Sequence, residues 1–285
     1  VTSRHPFFLF FFITAIVMMA PLKISIRGVD VVAKTQPLEA NAFAPFGEVI
    51  QNPRPALHPS NFAAAGPLPL AAVSANQGSA IKYQHVTHML NNYDQAPSGT
   101  PGVAVMNMFV CAARKLGTHK SSTSHGSTPS SRVFEVGILE RHPYTTQTFT
   151  PLSTSGPASP LGEHGYLVVV APSLQTLSGS STGRTPSQTD RGIHYDSQAQ
   201  SQPDLQRLKA FIATTDQAVT YGAGVWHAPM VALGPEGSTV DYVVTQFANG
   251  VGIEDCEEVV MQSPDNSGHI LVELPGSSST KASRL

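Results

Sequence analysis

The chain has 285 residues, 41% of them hydrophobic and 13% charged, and its 17 basic and 19 acidic side chains leave a net charge of -2. Charged residues stand at about half the globular average of ~25%, while 23 Gly and 23 Pro favour a loop-rich β protein over a helical bundle. Without a long basic run there is no electrostatic footprint for nucleic acid, and Cys111 and Cys256, far apart, exclude a disulfide framework or a cysteine-rich zinc site.

In chain order, residues 6–22 read PFFLFFFITAIVMMAPL after Arg4 and His5, the pattern of a signal peptide or anchor. The apolar part, Phe7 to Ala20, is short for the ~20 residues of a spanning helix. A start at Met19, giving Met-Ala-Pro-Leu-Lys, leaves that run out and is the expectation; a membrane enters only if residues 7–20 are a real anchor. From Ile24 to Ile50 the first structured segment places Leu38, Ala42, Phe43 and Phe46 at helical spacing, with Gly47 as a C-terminal cap. A proline-punctuated connection follows, from Pro53 to Pro69. Val103 to Ala113 reads as a strand, and Thr118 to Ser131 as a Ser/Thr-rich mobile insert. Val133 to Leu139, Thr146 to Thr150 and Tyr166 to Ala171 read as strands, and 173–203 as a second low-complexity insert. Leu205 to Ile212 is a short amphipathic piece, followed by Ala218 to Tyr221 and a strand from Val240 to Phe247. Short strands between turn signals point to an all-β sandwich or barrel, one domain over 23–274 with a flexible tail at 275–285. That tail ends Ser283-Arg284-Leu285, close to the Ser-Lys-Leu read by peroxisomal import receptors. With reduced thiols as the default for so few cysteines, a cytoplasmic or peroxisomal location is expected.

Two units carry the polar groups suited to chemistry. In Glu140-Arg141-His142-Pro143, strand alternation points Glu140 and His142 one way and Arg141 the other, with Gln147 five residues on. In Gly224-Val225-Trp226-His227-Ala228-Pro229, His227 follows the single Trp. Two imidazoles, a carboxylate and an amide converging in a barrel suit either a divalent metal or acid–base chemistry; each His also fits a satisfied turn or core position. Arg114, after the strand ending at Ala113, is either a clamp for a substrate carboxylate or a surface cation. Asp241 either orients a His, acts as a base, or sits in water at a strand edge. No phosphate-cradling glycine loop or His-Glu-x-x-His is present, which disfavours nucleotide binders and zincins.

The stretches PLEANAFAPFGEVI (37–50), LERHPYTTQTFTPL (139–152), YLVVVAP (166–172), DLQRLKAFIA (204–213), VTYGAGVWHAPM (219–230) and VDYVVTQF (240–247) resemble, in order, the ureidoglycolate lyase family of the allantoin pathway. The resemblance implies a mainly β, cupin-like (RmlC-like) barrel or jelly roll with a small N-terminal helical element. It implies a lyase that splits (S)-ureidoglycolate into glyoxylate and urea, with a small-molecule substrate, no nucleic acid and a homodimeric state. It brings His142, Gln147 and His227 into the barrel pocket, where they are the expected ligands of any metal. Glu140 and His142 stand about where ordinary cupins carry their first His-x-His pair. The cofactor expectation is therefore none or a divalent metal, nickel being associated with the family, and no nucleotide or redox cofactor. His142, His227, Glu140 and Asp241 are the expected catalytic residues; Arg114, Gln147 and Trp226 the expected substrate-binding ones. The inserts at 118–131 and 173–203 resemble a fungal elaboration. The competing readings are a ureidoglycolate amidohydrolase, another metal-dependent cupin such as an oxygenase, and a non-catalytic cupin that binds a small acid.

Overall fold

The computed structural model describes residues 21–119, 131–152, 165–174 and 202–275. The apolar run before residue 21, the middles of the two inserts and the C-terminal tripeptide lie outside the described residues.

The first strands are β1 (Leu22–Ser25), β2 (Asp30–Pro37), β3 (Gly47–Ile50), β4 (Val73–Ala75), β5 (Ala80–Lys82) and β6 (Val103–Ala112). Then come β7 (Gly117–His119), β8 (Ser131–Glu135), β9 (Ile138–Arg141), β10 (Gln147–Pro151), β11 (Gly165–Ala171) and β12 (Lys209–Thr214). The last are β13 (Ala218–Tyr221), β14 (Trp226–His227), β15 (Val231–Leu233), β16 (Thr239–Ala248), β17 (Glu257–Gln262) and β18 (His269–Glu273). Two single-turn helices, α1 (Ala40–Phe43) and α2 (Gly252–Asp255), interrupt them. An eleven-stranded sheet runs β1-β17-β9-β14-β11-β12-β2-β18-β8-β7 with β15 beside β11, and a five-stranded sheet runs β3-β13-β10-β16-β6. Most neighbours are antiparallel; β1 with β17, and β2 with both β12 and β18, are parallel.

Strand β11 shows why two cores form. Its sequence GYLVVVA is buried along its whole length. Side chains alternate across a strand. Leu167, Val169 and Ala171 accordingly enter one core with Ile24, Leu139, Trp226, Val259 and Val272. Tyr166, Val168 and Val170 enter another with Phe43, Phe149, Phe211, Tyr221 and Tyr242. Strands from both halves of the large sheet contribute to the first core, so that sheet curls around it. The second core lies between the large sheet and the five-stranded sheet. This is the mainly β architecture expected, compatible with a cupin-like sandwich. Among the described residues no helix is long and apolar enough to cross a membrane.

Several local expectations change. The helix read over Leu38 to Phe46 contracts to the one turn of α1, because Pro37 and Pro45 bracket it. Leu38, Phe43 and Phe46 still bury in the second core, whereas Ala42 is exposed. Gly47 opens β3 rather than capping a helix: its φ is +150°, and a Cβ there would lie 1.9 Å from the Thr220 carbonyl oxygen. The strand read over Val133 to Leu139 is two strands, since the chain crosses at Val136–Gly137 from the β18 edge to the β17 edge. The ends of the first insert extend a hairpin, with His119 opposite Ser131, and Ser173 pairs with Pro203 at the base of the second. The amphipathic piece from Leu205 to Ile212 is a 3-10 turn, Leu205–Arg207, leading into β12.

Candidate functional site

Strand register assembles the site. His227 on β14 lies opposite Glu140 on β9 and Val170 on β11. Its neighbours Trp226 and Ala228 belong to the first core, so alternation turns the imidazole toward the five-stranded sheet. There Gln147, the first residue of β10, lies opposite Tyr221 of β13 and Gln246 of β16. His142 follows the end of β9, where Glu140 and His142 share a face as expected. Arg141 points the other way, bonded to Glu257 and with its guanidinium 4.9 Å from the Trp226 ring centre.

The ligand atoms of Glu140, His142 and His227 all lie within 4.8 Å of one another. His142, Gln147 and His227 are only 6%, 4% and 1% exposed. The His227 ring stacks on Tyr221 at 4.0 Å and 10°, and the two imidazole centres are 5.6 Å apart. His227 Nδ1 is 3.0 Å from the Val225 carbonyl oxygen and His142 Nδ1 is 2.6 Å from that of Asp255. A carbonyl only accepts, so both Nδ1 atoms carry hydrogen. The Nε2 atoms therefore face the site. That of His227 is 3.2 Å from Gln147 Oε1 and 3.5 Å from Glu140 Oε1. That of His142 is buried and, among the described residues, has no hydrogen-bond partner. Gln147 turns its carbonyl oxygen inward, its amide nitrogen donating to Gln246 Oε1 at 2.6 Å.

Acceptor atoms thus converge from four side chains, and the arrangement calls for a positive centre among them, a proton or a metal ion. Imidazole nitrogens with carboxylate and carbonyl oxygens suit a divalent transition metal, and the orphaned Nε2 of His142 fits a ligand. Burial and the charge of His227 push the His142 imidazole below its usual range, against the Asp255 carbonyl, Glu140 and the nearby Gln147 side chain, which pull it up. Burial pushes the Glu140 carboxyl up, but the hydrogen bond and charge of His227 and the charge of His142 outweigh it and hold it below the usual carboxylate value. His142 is therefore a neutral acceptor near pH 7, and Glu140 is ionised.

Three other expected site residues do not join this group. Arg114 places its guanidinium 5.6 Å from the centre of the Phe134 ring and lines a cavity with Phe134, Ala228 and Pro229. Phe134 and Ala228 belong to the first core, so Arg114 serves the opposite face of the sheet. Trp226 faces that core too. Asp241 is exposed on β16 opposite Val110, on the face away from the buried Tyr242 and Val244. Conversely, Tyr221, Gln246 and Asp255 shape the site without having been singled out. A signal existed for Gln246: alternation from Tyr242 and Val244 makes it a polar side chain on the core face of β16.

A family model described as ureidoglycolate lyase matches residues 31–267. The chain is 33% identical over 229 residues to the ureidoglycolate lyase of Schizosaccharomyces pombe, covering 80% of this chain and 91% of that protein. It is 32% identical over 162 residues to the ureidoglycolate lyase of Saccharomyces cerevisiae, covering 57% and 63% of the two. The ureidoglycolate lyase of a Burkholderia mallei strain is 28% identical over 199 residues, covering 70% and 74%.

Proposed function

The chain belongs to the ureidoglycolate lyase family, and from that premise we propose that it splits (S)-ureidoglycolate into glyoxylate and urea at the Glu140, His142, Gln147 and His227 cluster, within allantoin and purine breakdown. The observation that carries the reading is the convergence of a bare, buried His142 Nε2 with His227 Nε2 and the Glu140 carboxylate.

The substrate carries a hydroxyl and a ureido nitrogen on one carbon. Cleavage moves one proton from that hydroxyl to the departing nitrogen as the C–N bond breaks and the carbonyl forms. No water is consumed, and no electrons are exchanged with a cofactor. His142 Nε2, neutral and unpartnered, accepts the hydroxyl proton. His227 Nε2, carrying a proton between Gln147 Oε1 and Glu140, delivers one to the urea nitrogen. Glu140 stabilises whichever ring is cationic. Tyr221, stacked on His227, and Gln147 hold that ring in place. Such proton transfers by positioned side chains contribute ~10²–10⁴-fold.

A second reading follows from the acceptor-only donor set. His142, Gln147 and His227 would hold a divalent ion such as nickel, and that ion would supply positive charge for the oxygens of the substrate. In this case the carboxylate of Glu140, the most exposed of the four, is left to move the proton.

A homodimer belongs to the same proposal. Among the described residues strand β6 is one of the two edges of the five-stranded sheet, and its sequence VAVMNMFVCA holds no charge and no proline. Met106, Met108 and Val110 are 74%, 60% and 65% exposed. Natural edges are usually blunted by charge, proline or a bulge, and a two-fold axis lets β6 pair with its own copy. The C-terminal Ser283-Arg284-Leu285 supports a peroxisomal location, tested by fusing the last ten residues to a fluorescent protein.

Incubation with (S)-ureidoglycolate tests the function. Urea and glyoxylate in equal amounts support it. Ammonia in place of urea assigns an amidohydrolase, and no turnover leaves a binding protein.

A further inference from the structure

We propose that Asp255 and Tyr93 are positioning residues that set the hydrogen on His142, the inference resting on the reading of His142 as an active group in the lyase site. The contact is made by backbone: the Asp255 carbonyl oxygen lies 2.6 Å from His142 Nδ1. A backbone oxygen can face a buried ring in one orientation only if its own turn is held, and here the holding is visible. The Asp255 carboxylate accepts from Tyr93 Oη at 2.7 Å and from the backbone N–H groups of Asn249 and Gly250, each at 2.8 Å. Its own N–H donates to the Val251 carbonyl at 2.8 Å. Gly250 enters the turn at a φ of +80°. The adjacent Glu254 accepts from Ser98 N–H at 2.8 Å, Ser98 Oγ at 2.7 Å and Asn249 Nδ2 at 2.7 Å, tying the same turn to the segment that carries Tyr93.

Tyr93 is itself fixed. It is 1% exposed, packs on Tyr144 two residues beyond His142, and closes on Gly102 so tightly that a Cβ there would lie 2.3 Å from its ring. The chain of constraint is Tyr93 Oη, Asp255 carboxylate, α2 turn, Asp255 carbonyl, His142 Nδ1. It leaves the lone pair of His142 on Nε2, the atom that faces Glu140 and His227. In the other tautomer Nε2 would carry the hydrogen and could neither accept the hydroxyl proton nor ligate a metal. Fixing ring tautomer and orientation through the second nitrogen is how a histidine is readied for either task.

The test reads the tautomer directly, in chelator-treated protein labelled with nitrogen isotope at histidine. Long-range proton–nitrogen spectra report which nitrogen of His142 is protonated, its signal being assigned with His142→Gln. The wild type should show hydrogen on Nδ1. Tyr93→Phe keeps the ring and removes the hydroxyl, and Asp255→Asn replaces one acceptor oxygen by a donor facing an N–H. Both should show mixed tautomers, with kcat lowered about ten-fold or more and KM within about two-fold. Hydrogen on Nε2 in the wild type, or an unchanged Nδ1 tautomer in folded variants, overturns the proposal. If Asp255→Asn does not fold, Tyr93→Phe decides alone. A tautomer that shifts in the variants of a protein producing no glyoxylate or urea would reject the lyase reading and leave the positioning role standing.

Discussion

Gln246 Oε1 accepts the amide hydrogen of Gln147 at 2.6 Å, and this bond between neighbouring strands turns the Gln147 carbonyl toward His227 Nε2 at 3.2 Å. Gln246 touches neither imidazole in the network, yet with its oxygen toward Gln147 the site sees an acceptor from that residue. Replacing it by Leu frees the amide to rotate. Divalent-ion affinity should then fall ~10–100-fold, as for loss of an outer-shell partner. Titration calorimetry of Gln246→Leu beside Gln246→Glu, which keeps an acceptor, checks this. Equal affinities in the two variants would remove Gln246 from the orienting role.

His142 and His227 should act as one unit. Each His→Ala change should lower turnover ~10²-fold or more. The double change should cost far less than the product of the singles, since residues that share a step are not additive. Dialysis against a chelator separates the two readings. Activity lost and restored by a divalent ion assigns the pair as ligands; activity indifferent to chelator, with no metal on elemental analysis, assigns acid–base work. A fully active double variant would reject both.

Arg114→Lys should leave KM within about two-fold of wild type, although a lysine cannot reproduce the planar fork of a true carboxylate clamp. The guanidinium sits over Phe134, on the far face of the sheet from His227. Steady-state kinetics decide it. A ten-fold rise in KM would show that the substrate reaches that face.

Burial, followed by the charges of Glu140, Glu258, Glu257 and Asp255, pushes the Cys256 thiol from 9.0 to about 12. The thiolate is the reactive form, so the folded protein should label slowly at pH 8 and rapidly once denatured. Above the unfolded value the unfolded chain has lost a proton that the folded one keeps. Stability should therefore be complete below about 9 and fall as pH rises toward about 12. Labelling of Cys256 at the denatured rate in native protein would contradict this.

Gly47→Ala should destabilise by more than ~1 kcal/mol, because the new methyl meets the Thr220 carbonyl at a backbone angle that alanine avoids. Gly137→Ala, with nothing within 4 Å of the added atom, should stay within about ±0.5 kcal/mol. Thermal melts of the pair test the reading, and equal melting temperatures would show that β3 shifts to make room.

Much of this site was legible in period-two alternation. The rule that put Glu140 and His142 on one face holds, and the same rule applied to Trp226 and His227 sends the tryptophan away from the site. Arg114 was not legible in the same way. Its side is set by backbone bonds from Ala113 to Ser238 and from Arg114 to Ala232, pairings between residues distant in the chain. The break at Val136–Gly137 was hidden for a related reason: the apolar run is continuous there, while the strands on either side choose different neighbours. Asp255 acts through its carbonyl, a group every residue possesses, so no side-chain pattern marks it.

The back-to-back placement of residues 226 and 227 also equips the molecule with an optical gauge. Its single tryptophan is 2% exposed, with the Arg141 guanidinium over its ring, one residue from the imidazole that faces the site. Emission should be that of a shielded indole. Filling the site should alter intensity through small shifts of β14 rather than by contact, leaving the wavelength in place. Only unfolding, which wets the indole, should move the wavelength to the red. Intensity would then follow occupancy and wavelength would follow folding, both read from one cuvette.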